Sequence, residues 1–263
     1  MIKTRGPKAG RCNICGSFEN LTEDHTPPKG CYKPRAVELL SIIDHLKAEL
    51  PKKKGTISQN GVKYKTLCGR CNNKILGTEC DPEFIRFVNG IGNILKSSIA
   101  LPPTIIFEAK PQKIMKALVG HLSAQGVNRF NKGSITKPIR KYFLGSNECL
   151  PTQMKIYCWP YPYNRNIMVR DCALTDLNIH EPVIVWFIKF FPIAFMITFD
   201  EPRDYRFPGL ELSRWRDVGF DETVKLPFGI TKIPSQHWPE APSENSIIMY
   251  GNEAIMSFEK RSR

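Results

Sequence analysis

Apolar residues recur at helical spacing in several stretches of the chain. Over residues 35–50, Val37, Leu39, Leu40, Ile42, Ile43, Leu46 and Leu50 follow a period near 3.6, and Pro51-Lys52-Lys53-Lys54-Gly55 stops the run. This predicts a helix inserted between two cysteine pairs. Asp81-Pro82-Glu83 supplies N-cap, proline and acid at the head of a helix running to about Ser98, with Phe84, Phe87, Val88, Ile91 and Leu95 on its apolar face. Residues 111–124 predict a further helix carrying His121, and residues 71–76 a short one ended by Gly77. Asn60-Gly61 is a tight-turn pair, placing strands at 56–59 and 62–67 on either side as a hairpin.

Beyond Ile135 the pattern changes to aromatic, proline-rich and strand-like runs, which puts a soft boundary between residues 100 and 135. The chain divides on this reading into 1–110 and 111–263, an α+β N-terminal domain followed by a strand-containing domain of unknown role. Residues 182–199, PVIVWFIKFFPIAFMITF, have the length of a short membrane span. Lys189 and Pro192 near the middle favour two buried strands, or a strand and its return, so no membrane is expected. The tail after Glu240 reads as irregular and partly mobile.

Charge changes the picture because it is uneven. The 263 residues carry a formal net charge of +13, and residues 1–150 hold 25 Lys/Arg against 11 Asp/Glu, or +14. A basic half attracts polyanions, so nucleic acid is the leading partner, although such a field specifies neither sequence nor reaction. Met1-Ile2-Lys3-Thr4-Arg5-Gly6-Pro7-Lys8 has no apolar stretch behind it and is no secretory signal, which points to a reducing, cytoplasmic setting. Nine cysteines there favour metal ligation over disulfides.

Cys12-Asn13-Ile14-Cys15 and Cys68-Gly69-Arg70-Cys71 are two C-x-x-C knuckles, the spacing that lets thiolates grip one tetrahedral zinc ion. A redox pair is the rival, but it needs only one such motif. Cys31, Cys80, Cys149, Cys158 and Cys172 read as ordinary thiols. Between and after the knuckles stand Asp24-His25 with Pro27, and Leu67-Cys68-Gly69-Arg70-Cys71-Asn72. In these four ordered elements the chain resembles the HNH endonucleases, the ββα-metal nucleases, over residues 11–77.

The resemblance implies a zinc-stapled, treble-clef-like ββα-metal finger. It implies structural zinc on Cys12, Cys15, Cys68 and Cys71, a catalytic magnesium or manganese ion on Asp24 and Asn72, and His25 as general base. The activity implied is phosphodiester hydrolysis, in DNA more than RNA, leaving a 5′-phosphate and a 3′-hydroxyl. The places where such nucleases occur suggest phage defence. Lys29, Lys33, Lys63, Lys65 and Lys74 are the expected phosphate contacts, with Arg35, Lys52, Lys53, Lys54 and Arg70 nearby in sequence. The chain departs from the family where an Asn or His usually supports the catalytic His, since Lys63 occupies that place and Asn60 lies before it. The rival reading is a non-catalytic zinc module that binds nucleic acid. A regulatory or dimerising role for residues 135–263, giving a homodimer, is the third. His45, His121, His180 and His237 read as surface or core residues.

Overall fold

The computed structural model describes residues 2–33, 35–46, 55–97, 100–145, 147–241, 245–251 and 254–259. The chain opens with β1 (Ala9–Arg11) and β2 (Phe18–His25), then β3 (Val37–Ser41), the short α1 (Ile42–Leu46), β4 (Thr56–Ser58) and β5 (Lys63–Cys68). A π-helical stretch, Arg70–Cys80, runs straight into α2 (Asp81–Leu95). Next come β6 (Thr104–Ala109), α3 (Pro111–Ala124) and α4 (Thr136–Leu144). The remainder is mostly strand: β7 (Met154–Pro160), β8 (Asn166–Asp176), β9 (Pro182–Phe190), β10 (Ile193–Phe199), β11 (Leu210–Glu211), β12 (Val224–Gly229), β13 (Ser246–Met249) and β14 (Ile255–Glu259).

The fold is mixed α+β, with three sheets among the described residues. A small one, in the order β1-β2-β5, carries the cysteine pairs. The large one runs β11-β7-β10-β9-β8-β14-β3-β4 with β13 also on β8, and β6 pairs β12 separately. β9 and β10 form an antiparallel hairpin from the apolar run 182–199. Both faces of that hairpin are covered, which is why its sequence hardly alternates. Ile193, Phe195, Ile197 and Phe199 face a core shared with α2 and α3, while Ala194 and Met196 pack in a second core with Tyr157, Trp159 and Tyr205. Lys189 is fully buried in this hairpin because its ammonium meets Glu240 at 2.7 Å and the carbonyls of Gln236 and Trp238. No helix among the described residues is long and apolar enough to cross a membrane.

Two helical expectations hold closely. α2 buries Phe84, Phe87, Val88 and Ile91, and Phe84 stacks on Phe195 with ring centroids 5.2 Å apart. α3 matches its predicted span, and every residue in it except Lys113 is buried. Gly120 lets α3 approach its neighbours, since a Cβ there would lie 2.5 Å from Leu76 and 2.7 Å from Phe143.

Five local expectations are corrected. Residues 37–41 are a strand, not part of a helix over 35–50: Val37 and Leu39 are buried while Glu38 and Leu40 are less so, and β14 and β4 supply hydrogen bonds on its two sides. Period two wins because a long-range partner exists. The stop at Lys52, Lys53 and Lys54 lies outside the described residues. Asn60 and Gly61 do turn, with φ of 62° and 81°, but β4 joins β3 and β5 joins β2, so the flanking strands belong to different sheets.

Gly77 does not end a helix. A C-capping glycine takes a positive φ, and Gly77 does not; it lies inside the π-helical stretch Arg70–Cys80, which continues past it. Asp81 therefore lies inside one continuous helix, its amide bonded to the Leu76 carbonyl, and is no N-cap. The tail after Glu240 supplies β13 and β14, the latter placed between β8 and β3. Strands from either side of residue 110 thus share one sheet, and the main core draws on both.

Candidate functional site

The two knuckles meet at the end of the small sheet. After β1, the Cys12 amide bonds the Ser17 carbonyl and the Gly16 amide bonds the Cys12 carbonyl, both at 2.9 Å, a turn in which Gly16 takes φ +77°. β2 pairs antiparallel with β5, setting Leu21 opposite Cys68, and Cys71 follows on the helix. The sulfurs of Cys12, Cys15, Cys68 and Cys71 all lie within 4.8 Å of one another, and Cys15 and Cys68 are 3.7 Å apart. Ligands about 2.3 Å from a tetrahedral zinc ion are separated by about 3.8 Å. The four could hold a metal ion such as zinc.

Protonation supports the same conclusion. Hydrogen bonds from Cys12, Cys68 and Cys71 push the Cys15 thiol far below its ordinary value, while the same crowding pushes Cys71 far above. Four thiolates cannot coexist at this spacing without a cation among them. The first knuckle is also tied to the end of α3, where Asn13 Nδ2 donates to the carbonyls of Ser123 at 3.2 Å and Gly126 at 2.8 Å.

Asp24 and His25 end β2, just past an irregularity in its pairing between Thr22 and Glu23. Asn72 reaches them from the helix: its Nδ2 donates to Thr22 Oγ1 at 2.9 Å and to the Glu23 carbonyl at 3.0 Å. Asp24 is 3% exposed. Its Oδ2 accepts from Thr26 Oγ1 at 3.1 Å and meets His121 Nδ1 at 2.9 Å, and Oδ1 carries no hydrogen bond among the described residues. His25 is half-buried, and its Nε2 is enclosed with no hydrogen-bond partner among the described residues. Burial and the charges of Lys29 and Lys63 lower its pKa, favouring the neutral ring.

His121 and Asp81 were not expected here. His121 Nε2 meets Asp81 Oδ1 at 2.9 Å, so the imidazole bridges two carboxylates. Burial opposes its charge, but Asp24 and Asp81 outweigh that and hold its pKa up at about 10. The sequence signal was a histidine among Leu118, Val119 and Leu122, since a charge so buried must be paired. Replacing His121 with alanine leaves the buried Asp24 carboxylate and the part-buried Asp81 carboxylate without the imidazole between them. Breaking such a pair costs about 3–5 kcal/mol, to be read as a lower urea midpoint at unchanged slope. An unchanged midpoint would show the bridge to be unimportant to the fold.

The lysines separate into groups. Lys63 stands opposite His25 in the strand pairing and bonds Glu23 at 3.1 Å; Lys65 pairs with Glu23 in the same ladder. Lys29 is exposed on the loop after His25. Lys33 lines a cleft with Arg35, whereas Lys74 lines a different hollow with Arg70 and Lys116. Lys52, Lys53 and Lys54 lie outside the described residues. Asn60 is a turn residue, and β5 offers Lys63 where the family resemblance leads one to expect Asn or His. Compared with family models, with curated proteins and with solved structures, the chain matches none.

Proposed function

We propose that the chain is a metal-dependent endonuclease of the HNH type that hydrolyses phosphodiester bonds in nucleic acid, DNA before RNA. The observation that carries this reading is the Asn72 clamp on β2, which brings Asn72 to the residue before Asp24-His25, in the order β2, β5, helix, beside four cysteines spaced for one ion.

The donor chemistry suits two different metals. Sulfur ligands favour zinc, which would staple β5 and the helix to the first knuckle. Asp24 Oδ1 and the Asn72 carboxamide oxygen are hard donors suited to magnesium or manganese. A divalent ion bound there would offset charge on the phosphate and on the departing oxygen.

The residues divide the remaining work. His25, kept neutral, accepts a proton from the attacking water at a ring nitrogen. His121 and Thr26 hold one oxygen of Asp24, which fixes the carboxylate and leaves the other oxygen for the ion. Lys29 and Lys63 add positive charge where a phosphate would lie.

The reading is tested by incubating the zinc-loaded chain with supercoiled plasmid and with RNA, in magnesium or manganese. Nicking with 5′-phosphate and 3′-hydroxyl ends is expected. No cutting of either polymer would sink the enzyme reading. The second reading, a zinc module that binds nucleic acid without cutting it, draws on the near-complete burial of Asp24 and its commitment to His121. It predicts retention of nucleic acid in the same experiment with no new ends.

A further inference from the structure

A second feature lies one loop beyond His25. After the 3-10 turn Lys29–Cys31, the chain forms one wall of a cleft of about 640 Å³ with Tyr32 and Lys33. Lys96, at the end of α2, and Phe191, at the β9–β10 turn, stand in a second wall, and Asn164 and Asn166 lie at the entry to β8. The cleft neighbours the loop after His25: Thr26 and Pro27 line a narrow crevice, and Asn166 and Ser257 line both crevice and cleft.

The wall chemistry has three parts. Lys33 has no carboxylate partner among the described residues, and Lys96 Nζ rests 5.0 Å from the centroid of Phe191, so two cations can reach a phosphate. Phe191 is partly exposed, giving an aromatic surface on which a planar ring can stack. The side-chain amides of Asn164 and Asn166 have no protein hydrogen bond among the described residues, and each offers a donor and an acceptor to a base edge. Arg35 is already paired with Glu259 at 3.1 Å and contributes less. Cation, aromatic surface and free carboxamide together are what a nucleotide needs, and a volume in the range of about 300–1,000 Å³ suits a small ligand, not a paired duplex.

We propose that this cleft takes one unstacked nucleotide of a single strand beside the bond to be cut, with Phe191 under the base, Asn164 and Asn166 at its edge, and Lys33 and Lys96 on the flanking phosphates. The substrate class is then nucleic acid with a single-stranded or locally opened segment. This rests on the nuclease reading for the polymer and the position of the cut.

The test is equilibrium binding by fluorescence anisotropy. The zinc-loaded full chain, without magnesium, is titrated against labelled short single strands of thymidylate, adenylate or cytidylate, and against a duplex of the same length. Stacking a base on an aromatic side chain strengthens single-strand binding by about five- to a hundredfold. Phe191→Leu should weaken single-strand binding by a factor in that range and duplex binding much less. Asn164→Ala should narrow the differences among the three homopolymers. Should Phe191→Leu fail to fold, Asn164→Ala and Lys96→Gln, both at exposed positions, carry the same comparison.

Single-strand binding unchanged in these variants would overturn the cleft assignment, even if the intact chain cuts plasmid. Single-strand binding that depends on Phe191 or Asn164, in a chain that cuts nothing, would support the cleft and remove the nuclease reading instead.

Discussion

Replacing His25 with alanine is expected to lower phosphodiester cleavage by a factor of about 10²–10⁴, the contribution of a positioned general base, while zinc content stays unchanged. The separation of chemistry from stability follows from the geometry. His25 is half-buried, its Nε2 has no hydrogen-bond partner among the described residues, and its neighbours Asp24 and Thr26 are held by His121 and by each other. Truncation therefore strands no buried partner, and the stability read from urea unfolding should change by about 1 kcal/mol or less. A ring nitrogen enclosed without a partner is a cost that a purely structural histidine would normally avoid. The rates of nicking by the intact and variant chains, measured with magnesium and with and without added imidazole, decide the matter. Restoration by imidazole identifies the missing ring as a proton acceptor. Equal rates in the intact and variant chains would remove His25 from the chemistry and leave Asp24 and Asn72 without a base.

The parts of this site that could be read from the sequence are those built by short-range rules. The cysteine pairs reveal themselves by spacing, and their sulfurs do converge. α2 and α3 reveal themselves through apolar faces formed within a few turns, and the β9–β10 return through Pro192 inside a long apolar run. What could not be read depends on partners far along the chain. The residues of β3 fit a helical period until β14, from the far end of the sequence, offers hydrogen bonds to them. The Asn60-Gly61 turn is local and correctly placed, but which strands it joins is decided by β2 and β3.

The same reasoning applies to the support of Asp24. His121 lies 97 residues away, on a helix whose burial makes its histidine look like core. Asp81 looked like a helix cap because Asp-Pro-Glu usually begins a helix, and here the π-helical stretch runs directly into α2 at this residue and its carboxylate meets His121. The second strand supplies Lys63 opposite His25, and the polar support near this elbow comes from α3 instead, directed at Asp24.

On the proposed reading, in which the four cysteines hold zinc, stripping that metal is expected to have the largest effect on the molecule. Among the described residues the small sheet has β1, β2 and β5, with β1 three residues long, and so small a sheet is marginal by itself. Structural zinc in isolated finger peptides contributes apparent binding energies of about 10–16 kcal/mol at neutral pH, comparable to the total stability of about 5–15 kcal/mol for a typical domain. Loss of such an ion would leave the converging Cys12, Cys15, Cys68 and Cys71 as crowded thiols, free the first knuckle from the start of the helix, and loosen the Asn72 contact with Glu23. The β7–β10 part of the large sheet has cores on both faces and does not depend on the ion directly. Cys71→Ser should therefore bind less than one zinc per chain, unfold at a lower urea midpoint and lose cleavage entirely, with magnesium unable to restore it. Cys149→Ser, at an exposed cysteine outside the cluster, should keep zinc, midpoint and cleavage. A Cys71→Ser chain that retains the intact midpoint and still nicks plasmid would show that the cysteines hold the finger without an ion, and the division of labour between a sulfur-bound and an oxygen-bound metal would fail with it.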